Sequence, residues 1–86
     1  MQVTLISQDG CELCERAHSL LERLGNDYPI EMRVVDLASP EGQSLAERGG
    51  MMFPPGLFLA DEPFSYGRVS ERRLRRELDR RLSPHR

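Results

Sequence analysis

The chain has 86 residues, 38% of them hydrophobic, and a net charge of −2 at pH 7. This length fits one small domain with a modest core, so we expect residues 1–86 to form a single domain. The small net charge gives no general reason to expect binding to nucleic acid or to a membrane. The sequence shows neither a basic-then-apolar leader nor a long apolar segment, which predicts a cytoplasmic protein.

The first part of the chain predicts a strand, a helix and a second strand. Residues 2–7 are apolar and rich in β-branched side chains, which is typical of a strand. Residues 12–24 carry apolar side chains at helical spacing, and Gly25-Asn26 is a good stop signal. Residues 30–37 again indicate a strand. Because a strand–helix–strand unit crosses over with a right hand, the two strands should be parallel.

A short helix should follow the second strand. Ser39 is a suitable N-cap, and Pro40 fits the first turn of a helix, where its missing N–H has no partner to lose. Gly49-Gly50 predict the end of this helix. Pro54-Pro55 then interrupt the chain before the next strand candidate.

The last third predicts a hairpin and a final helix. Residues 57–59 and 64–66 are strand candidates, which a turn at Asp61-Glu62 would join. Ser70 is the expected N-cap of the last helix, whose buried face should consist of three leucines spaced four residues apart: Leu74, Leu78 and Leu82. The order βαβαββα predicts an α/β fold in which a four-stranded mixed sheet carries helices on both faces.

The only two cysteines, Cys11 and Cys14, stand at the predicted start of the first helix. Unpaired N–H groups and the helix dipole stabilise a thiolate at that position, and the thiolate is the nucleophile in thiol–disulfide exchange. The second cysteine, one turn further on, can attack a mixed disulfide formed by the first. A disulfide between these two cysteines would close a loop too short to add much chain-entropy stabilisation. The pair therefore indicates redox chemistry rather than a structural disulfide.

A metal site is the competing interpretation of the cysteine pair. A tetrahedral zinc site needs four ligands, and the chain offers only His18 and His85 besides the cysteines. We therefore expect no metal. An iron–sulfur cluster bridging two chains stays open as an alternative.

Met51, Met52 and Phe53 leave two interpretations open. They either form an apolar rim beside the cysteines for a protein substrate or fill the core under the Pro-Pro loop.

The last helix carries six arginines, which either bind nucleic acid or form a solvated face. The spacing of Glu71 to Arg75 and of Glu77 to Arg81 is that of helical ion pairs, which favours the solvated face and no nucleic-acid partner.

The element order, the Cys-x-x-Cys at the first helix and the proline before the third strand resemble the thioredoxin fold. The small size resembles glutaredoxin, in particular the compact bacterial glutaredoxin-like proteins with Gly-Cys-x-Leu-Cys. The resemblance spans nearly the whole chain and rests on Gly10-Cys11-Glu12-Leu13-Cys14 and Phe53-Pro54-Pro55-Gly56-Leu57-Phe58-Leu59. It implies that Cys11 is the nucleophile, that Cys14 is the resolving cysteine and that Pro55 is a cis-proline facing the pair.

The resemblance also implies where glutathione would bind. Gly67-Arg68-Val69-Ser70 falls where glutaredoxins bind the γ-glutamyl end, and the residue before the cis-proline, here Pro54, holds the cysteinyl part. Two departures weaken this site. Pro54 has no N–H to donate, and Gln8 stands where many members carry a basic residue that pairs with the glycyl carboxylate.

Taken together, these features predict a monomeric thiol–disulfide oxidoreductase without a tightly bound cofactor. Its substrate would be a disulfide-containing protein or a small thiol compound, and its electron donor would be glutathione or a reductase. The alternative from another class is a non-enzymatic binding module that serves as a redox sensor or as an iron–sulfur carrier.

Overall fold

The structure, a computed structural model, describes residues 1–82, so His85 lies outside the described residues. The element order is the predicted one: β1 (Gln2–Ser7), α1 (Glu12–Leu24), β2 (Glu31–Asp36), α2 (Pro40–Arg48), β3 (Gly56–Leu59), β4 (Glu62–Tyr66) and α3 (Glu71–Leu82). Among these three helices, none has the length and apolar character needed to cross a lipid bilayer.

The four strands form one mixed sheet in the order β2-β1-β3-β4. β1 pairs with β2 in parallel, as predicted for a strand–helix–strand unit, and with β3 in antiparallel orientation. The register places Ile6, near the end of β1, opposite Val35 on one side and Gly56 on the other. The end of β1, from which the chain leads to the cysteines, therefore lies beside the start of β3.

Alternation along the strands gives the sheet two buried faces. One face packs against α1 and α3 in a core of ten buried residues: Val3, Leu5, Ala17, Leu20, Leu21, Leu24, Leu57, Leu59, Leu74 and Leu78. The opposite face carries the buried side chains of Ile6, Val35 and Phe58, and α2 packs on β1 and β2 there. The prediction of helices on both faces is confirmed.

Two helices, α2 and α3, begin at the predicted caps. The Ser39 hydroxyl accepts the backbone N–H of Gly42 at 3.0 Å, with Pro40 in the first turn of α2. The Ser70 hydroxyl accepts the backbone N–H of Arg73 at 3.2 Å and so caps α3. At the start of α1 the capping residue is Cys11 itself.

The hairpin turn differs from the prediction. β4 begins at Glu62, which pairs with Leu59, so the turn is formed by Ala60-Asp61 and not by Asp61-Glu62. Ala60 adopts a positive φ of 55°, which the two-residue connection imposes on a residue that rarely adopts it. Pro63 lies within β4, where an edge strand tolerates a residue without an N–H.

Candidate active site

The cysteines lie where the chain turns from β1 into α1. Gly10 adopts a positive φ of 69°, which lets the chain reverse after the strand. Cys11 then takes an extended conformation as the N-cap, and the helix begins at Glu12. Cys11 and Cys14 are joined by a disulfide, with their Cα atoms 5.2 Å apart. The structure thus shows the oxidised form of the pair at the predicted helix start.

The two sulfurs differ in their access to solvent. Cys14 is only 1% exposed, whereas Cys11 is half-buried. The backbone N–H of Cys14 donates to Cys11 Sγ at 3.1 Å. A donor at this position favours negative charge on the sulfur, because it adds to the positive end of the helix dipole. The geometry therefore makes Cys11 the more accessible of the two sulfurs and directs a helix N–H donor at it.

The loop that contains Pro54 and Pro55, here called the proline loop, lies at the end of the sheet where β1 leads to the cysteines. The Pro54–Pro55 peptide bond is cis, which confirms that prediction, and Pro55 is fully buried. Gly56 follows directly and pairs with Ile6. The Pro55 carbonyl accepts the backbone N–H of Gly67 at 2.7 Å, so the loop after β4 is tied to the proline loop.

The other three residues of the predicted ligand-binding loop have different surroundings. Arg68 is exposed, and with Val69 it forms one wall of a groove of about 190 Å³ whose other wall includes Leu13, between the cysteines. Ser70 uses its hydroxyl to cap α3. The structure therefore brings Gly67 to the proline loop and Arg68 to the cysteine segment, and it gives Ser70 a structural role as a cap.

The methionine–phenylalanine segment divides between the two interpretations left open by the sequence. Met51 is half-buried, and its Sδ lies so close to Gly56 that a Cβ there would collide with it. Met52 and Phe53 point outward and are 77% and 53% exposed. The rings of Phe53 and Tyr66 form a T-shaped pair, with centroids 5.3 Å apart and planes at 90°. We call Met52, Phe53 and Tyr66 the apolar surface.

Sequence reasoning missed Tyr66 as part of this surface. The signal lies in the pairing of β3 with β4, because Tyr66 stands opposite Gly56 and hence beside the proline loop. Only the register of the hairpin shows this neighbourhood.

Two polar side chains near the pair also have defined partners. Glu12, between the cysteines, accepts a hydrogen bond from Arg16 at 3.3 Å, as the helical spacing predicts. His18 lies 3.6 Å from Glu22. Within residues 1–82, no group of three histidine, cysteine or acidic side chains is arranged to hold a metal ion.

The four-stranded mixed sheet and the cysteine pair at the start of α1 define a protein of the thioredoxin-fold class. Residues 2–79 match the family model of the glutaredoxin-like domain (DUF836), so the chain belongs to the glutaredoxin-like domain family. No curated protein sequence matches the chain.

Solved structures of both thioredoxins and a glutaredoxin are similar to this fold. A mutant thioredoxin from Halobacterium salinarum has a TM-score of 0.72 at 20% identity, with 99% of this chain and 77% of that chain covered. Reduced Escherichia coli glutaredoxin gives 0.64 at 24% identity, with 77% and 84% covered. Thioredoxin 1 from Thermosipho africanus gives 0.69 at 15% identity, with 94% and 93% covered. These similarities concern the fold.

Proposed function

We propose that the protein is a thiol–disulfide oxidoreductase that reduces disulfides by dithiol exchange. The observation that carries this proposal is the disulfide between a half-buried Cys11 and a buried Cys14 at the start of α1. Membership of the glutaredoxin-like domain family supports it. A cysteine pair at this position is placed for exchange chemistry, because one sulfur is accessible and the other is within bonding distance of it.

The reaction proceeds in two exchange steps. The Cys11 thiolate attacks one sulfur of the substrate disulfide, the substrate S–S bond breaks, and the other substrate sulfur leaves as a thiolate. Cys14 loses its proton to solvent and attacks Cys11 Sγ, which releases the second substrate thiolate. Two electrons have then passed from the cysteine pair to the substrate, and the Cys11–Cys14 disulfide is formed. An external thiol, either glutathione or a reductase dithiol, must reduce it again.

The residues around the pair support the first step. The Cys14 N–H at 3.1 Å and the remaining first-turn N–H groups of α1 favour the Cys11 thiolate. The Glu12 carboxylate opposes it, but this charge lies against Arg16 and is exposed to water. The helix terminus is therefore the stronger influence, since its donor contacts the sulfur directly.

The surroundings favour a protein disulfide over a glutathione disulfide as substrate. Pro54 has no N–H to offer a bound cysteinyl residue, and Gln8 is an exposed neutral side chain. The apolar surface of Met52, Phe53 and Tyr66 gives a protein partner an area to cover beside the proline loop. We propose that Pro54, Pro55 and Gly67 line the substrate groove and that glutathione is at most a weakly bound co-substrate.

A trapping experiment tests the assignment of the two sulfurs. Reduced Cys14→Ser should form a stable mixed disulfide with a peptide disulfide, whereas Cys11→Ser should form none, because its remaining thiol is buried. Alkylation of reduced wild-type protein at neutral pH should modify Cys11 first. Preferential alkylation of Cys14 would contradict the assignment.

A turnover assay tests the activity itself. The wild-type protein should reduce a neutral peptide disulfide when it is coupled either to glutathione with glutathione reductase or to a thioredoxin-reductase system. No turnover in either system would reject the enzyme and favour a binding module that keeps the cysteine pair.

A further inference from the structure

The groove between Leu13 and Arg68 has features that the exchange reaction does not require. Its α1 wall consists of Leu13, Arg16, Ala17 and Leu20, and its other wall consists of Arg68 and Val69. Four of its six lining residues are apolar, and the two guanidinium groups add a polar part to its surface. Its volume of about 190 Å³ is below the roughly 300–1,000 Å³ of pockets that enclose a whole small-molecule ligand. The size fits one or two side chains of a larger partner.

The positive charge of Arg68 is not paired with an acidic side chain in the described part of the chain. No hydrogen bond or ion pair joins Arg68 to another residue within 1–82. The nearest acidic residue along the chain, Glu71, is held by Arg23 at 3.2 Å and by Arg75 at 2.9 Å. Within residues 1–82, Arg16 has a single partner, the exposed Glu12, and such a pair is weak enough for an incoming carboxylate to share the guanidinium.

We infer that this groove receives an acidic side chain of the substrate protein, next to the disulfide that Cys11 attacks, and that Arg68 determines this preference. The inference rests on the proposed function and names a feature of its substrate. A guanidinium binds a carboxylate with two parallel hydrogen bonds, which gives both charge and geometric selectivity. A basic side chain would meet two positive charges at the rim and no acidic residue among the six that line the groove.

The position of the groove makes this preference relevant to the reaction. Leu13 stands between the cysteines, and Arg68 follows Gly67, which is tied to the Pro55 carbonyl. The Phe53 ring lies so close to Gly67 that a Cβ there would be 2.8 Å from it, so the apolar surface adjoins the segment that leads to Arg68. One partner segment can therefore cover the apolar surface, present its disulfide to Cys11 and place an acidic side chain beside Arg68.

Three peptide disulfides of equal length, with acidic, neutral or basic residues beside the cysteines, would test this. The reduced wild-type protein should reduce the acidic peptide about tenfold faster than the basic one, at the lower end of electrostatic steering effects. Arg68→Glu should reverse the order. The ratio should shrink with added salt, because the groups are close to solvent. The net charge of −2 would repel the acidic peptide, so a preference for it has to be local.

Arg76→Glu is the matched control, because Arg76 is an exposed arginine of α3 that does not line the groove. It makes the same change in net charge and should leave the ratio of acidic to basic rates unchanged. An unchanged ratio in Arg68→Glu, or an equal change in both variants, would overturn the inference.

A binding measurement separates this inference from the proposed function. In a variant with both Cys11→Ser and Cys14→Ser, fluorescence anisotropy should show tighter binding of the acidic peptide than of the basic one. A binding preference without turnover of the neutral peptide by wild type would reject the oxidoreductase and keep the groove assignment. Turnover of the neutral peptide without any charge preference would reject the groove assignment and keep the oxidoreductase.

Discussion

Gly67 is the residue at which the proline loop, the apolar surface and the groove meet. Its N–H donates to the Pro55 carbonyl at 2.7 Å, and its φ is 77°. A Cβ at this position would lie 2.8 Å from the Phe53 ring. Glycine is therefore required here both by the backbone conformation and by the close approach of the ring.

Gly67→Ala should destabilise the protein more than Gly50→Ala. Both glycines have positive φ, but a Cβ at Gly50 would meet nothing within 4 Å. We expect Gly50→Ala to lower the free energy of unfolding by about 1 kcal/mol, the cost of the left-handed conformation alone. Gly67→Ala should cost about 2 kcal/mol, because the Phe53 ring must also leave its contact with Tyr66. Urea denaturation measures both values, and equal costs would show that the ring moves aside freely.

Individual residues were predictable from the sequence where their chemistry is local. The helix-capping position of Cys11 follows from the residues that flank it, and the proline pair is visible as such. The different exposure of Met51 and Met52 was not predictable, because neighbouring residues on a loop can face either way. Tyr66 was missed because its place depends on the register of β4 against β3.

The last helix, α3, combines a buried leucine face with arginines that are ion-paired to several elements. Both predicted helical pairs are present: Arg75 contacts Glu71 at 2.9 Å, and Arg81 contacts Glu77 at 2.7 Å. Arg81 also reaches Glu62 of β4 at 2.6 Å. These ion pairs show that part of the arginine run forms a solvated face. The pair with Glu62 also connects α3 to β4.

Glu77 should make the stability of the protein depend on pH in the acidic range. Hydrogen bonds from Arg80 and Arg81 lower the pKa of Glu77 to about 2. Because the folded state binds the proton less readily than the unfolded state, the stabilisation is complete above the ordinary pKa of 4.5 and is lost as pH falls towards 2. Wild type should therefore lose more thermal stability than Glu77→Gln between about pH 5 and pH 2.5, by a few degrees at most, since solvent screens the pair.

Glu47→Gln is the control for this pH dependence. Glu47 is exposed on α2 and has no ion-pair partner in the described part of the chain. Its substitution should leave the wild-type dependence of the unfolding temperature on pH intact. If Glu77→Gln and wild type lose stability in parallel, the two arginines do not hold the carboxylate in solution.

The bounds of the elements were predictable where caps and stop signals are strong. The three helices begin after Cys11, Ser39 and Ser70, as the sequence indicates. The hairpin was misplaced by one residue, because Ala60 is not a residue that marks a turn. The pairing of Leu59 with Glu62 sets the turn there, and a sequence pattern does not show that pairing.

At the scale of the whole molecule, the two layers on the sheet differ in depth. The layer of α1 and α3 contains the ten-residue core, whereas α2 buries only Gly42 completely. β1 is paired on both sides, while β2 is an edge strand with Val34 facing solvent. The order of the elements made two covered faces predictable, but the shallowness of the α2 layer depends on how closely the helix approaches β2.

This asymmetry should appear in native-state hydrogen exchange. Amides of β1, β3 and α1 should open only with global unfolding, whereas those of α2 and β2 should exchange by a local opening of lower free energy, because less apolar surface holds them. Leu45→Ala, at a half-buried position of α2, should accelerate exchange in α2, because the local opening releases this side chain. Leu78→Ala, at a fully buried position of the core, should reduce the protection of β1, β3 and α1 by about 2–5 kcal/mol and leave α2 almost unchanged, because the local opening keeps Leu78 packed. Uniform protection in α2 and β1, lowered equally by Leu78→Ala, would mean that the α2 layer unfolds only together with the core.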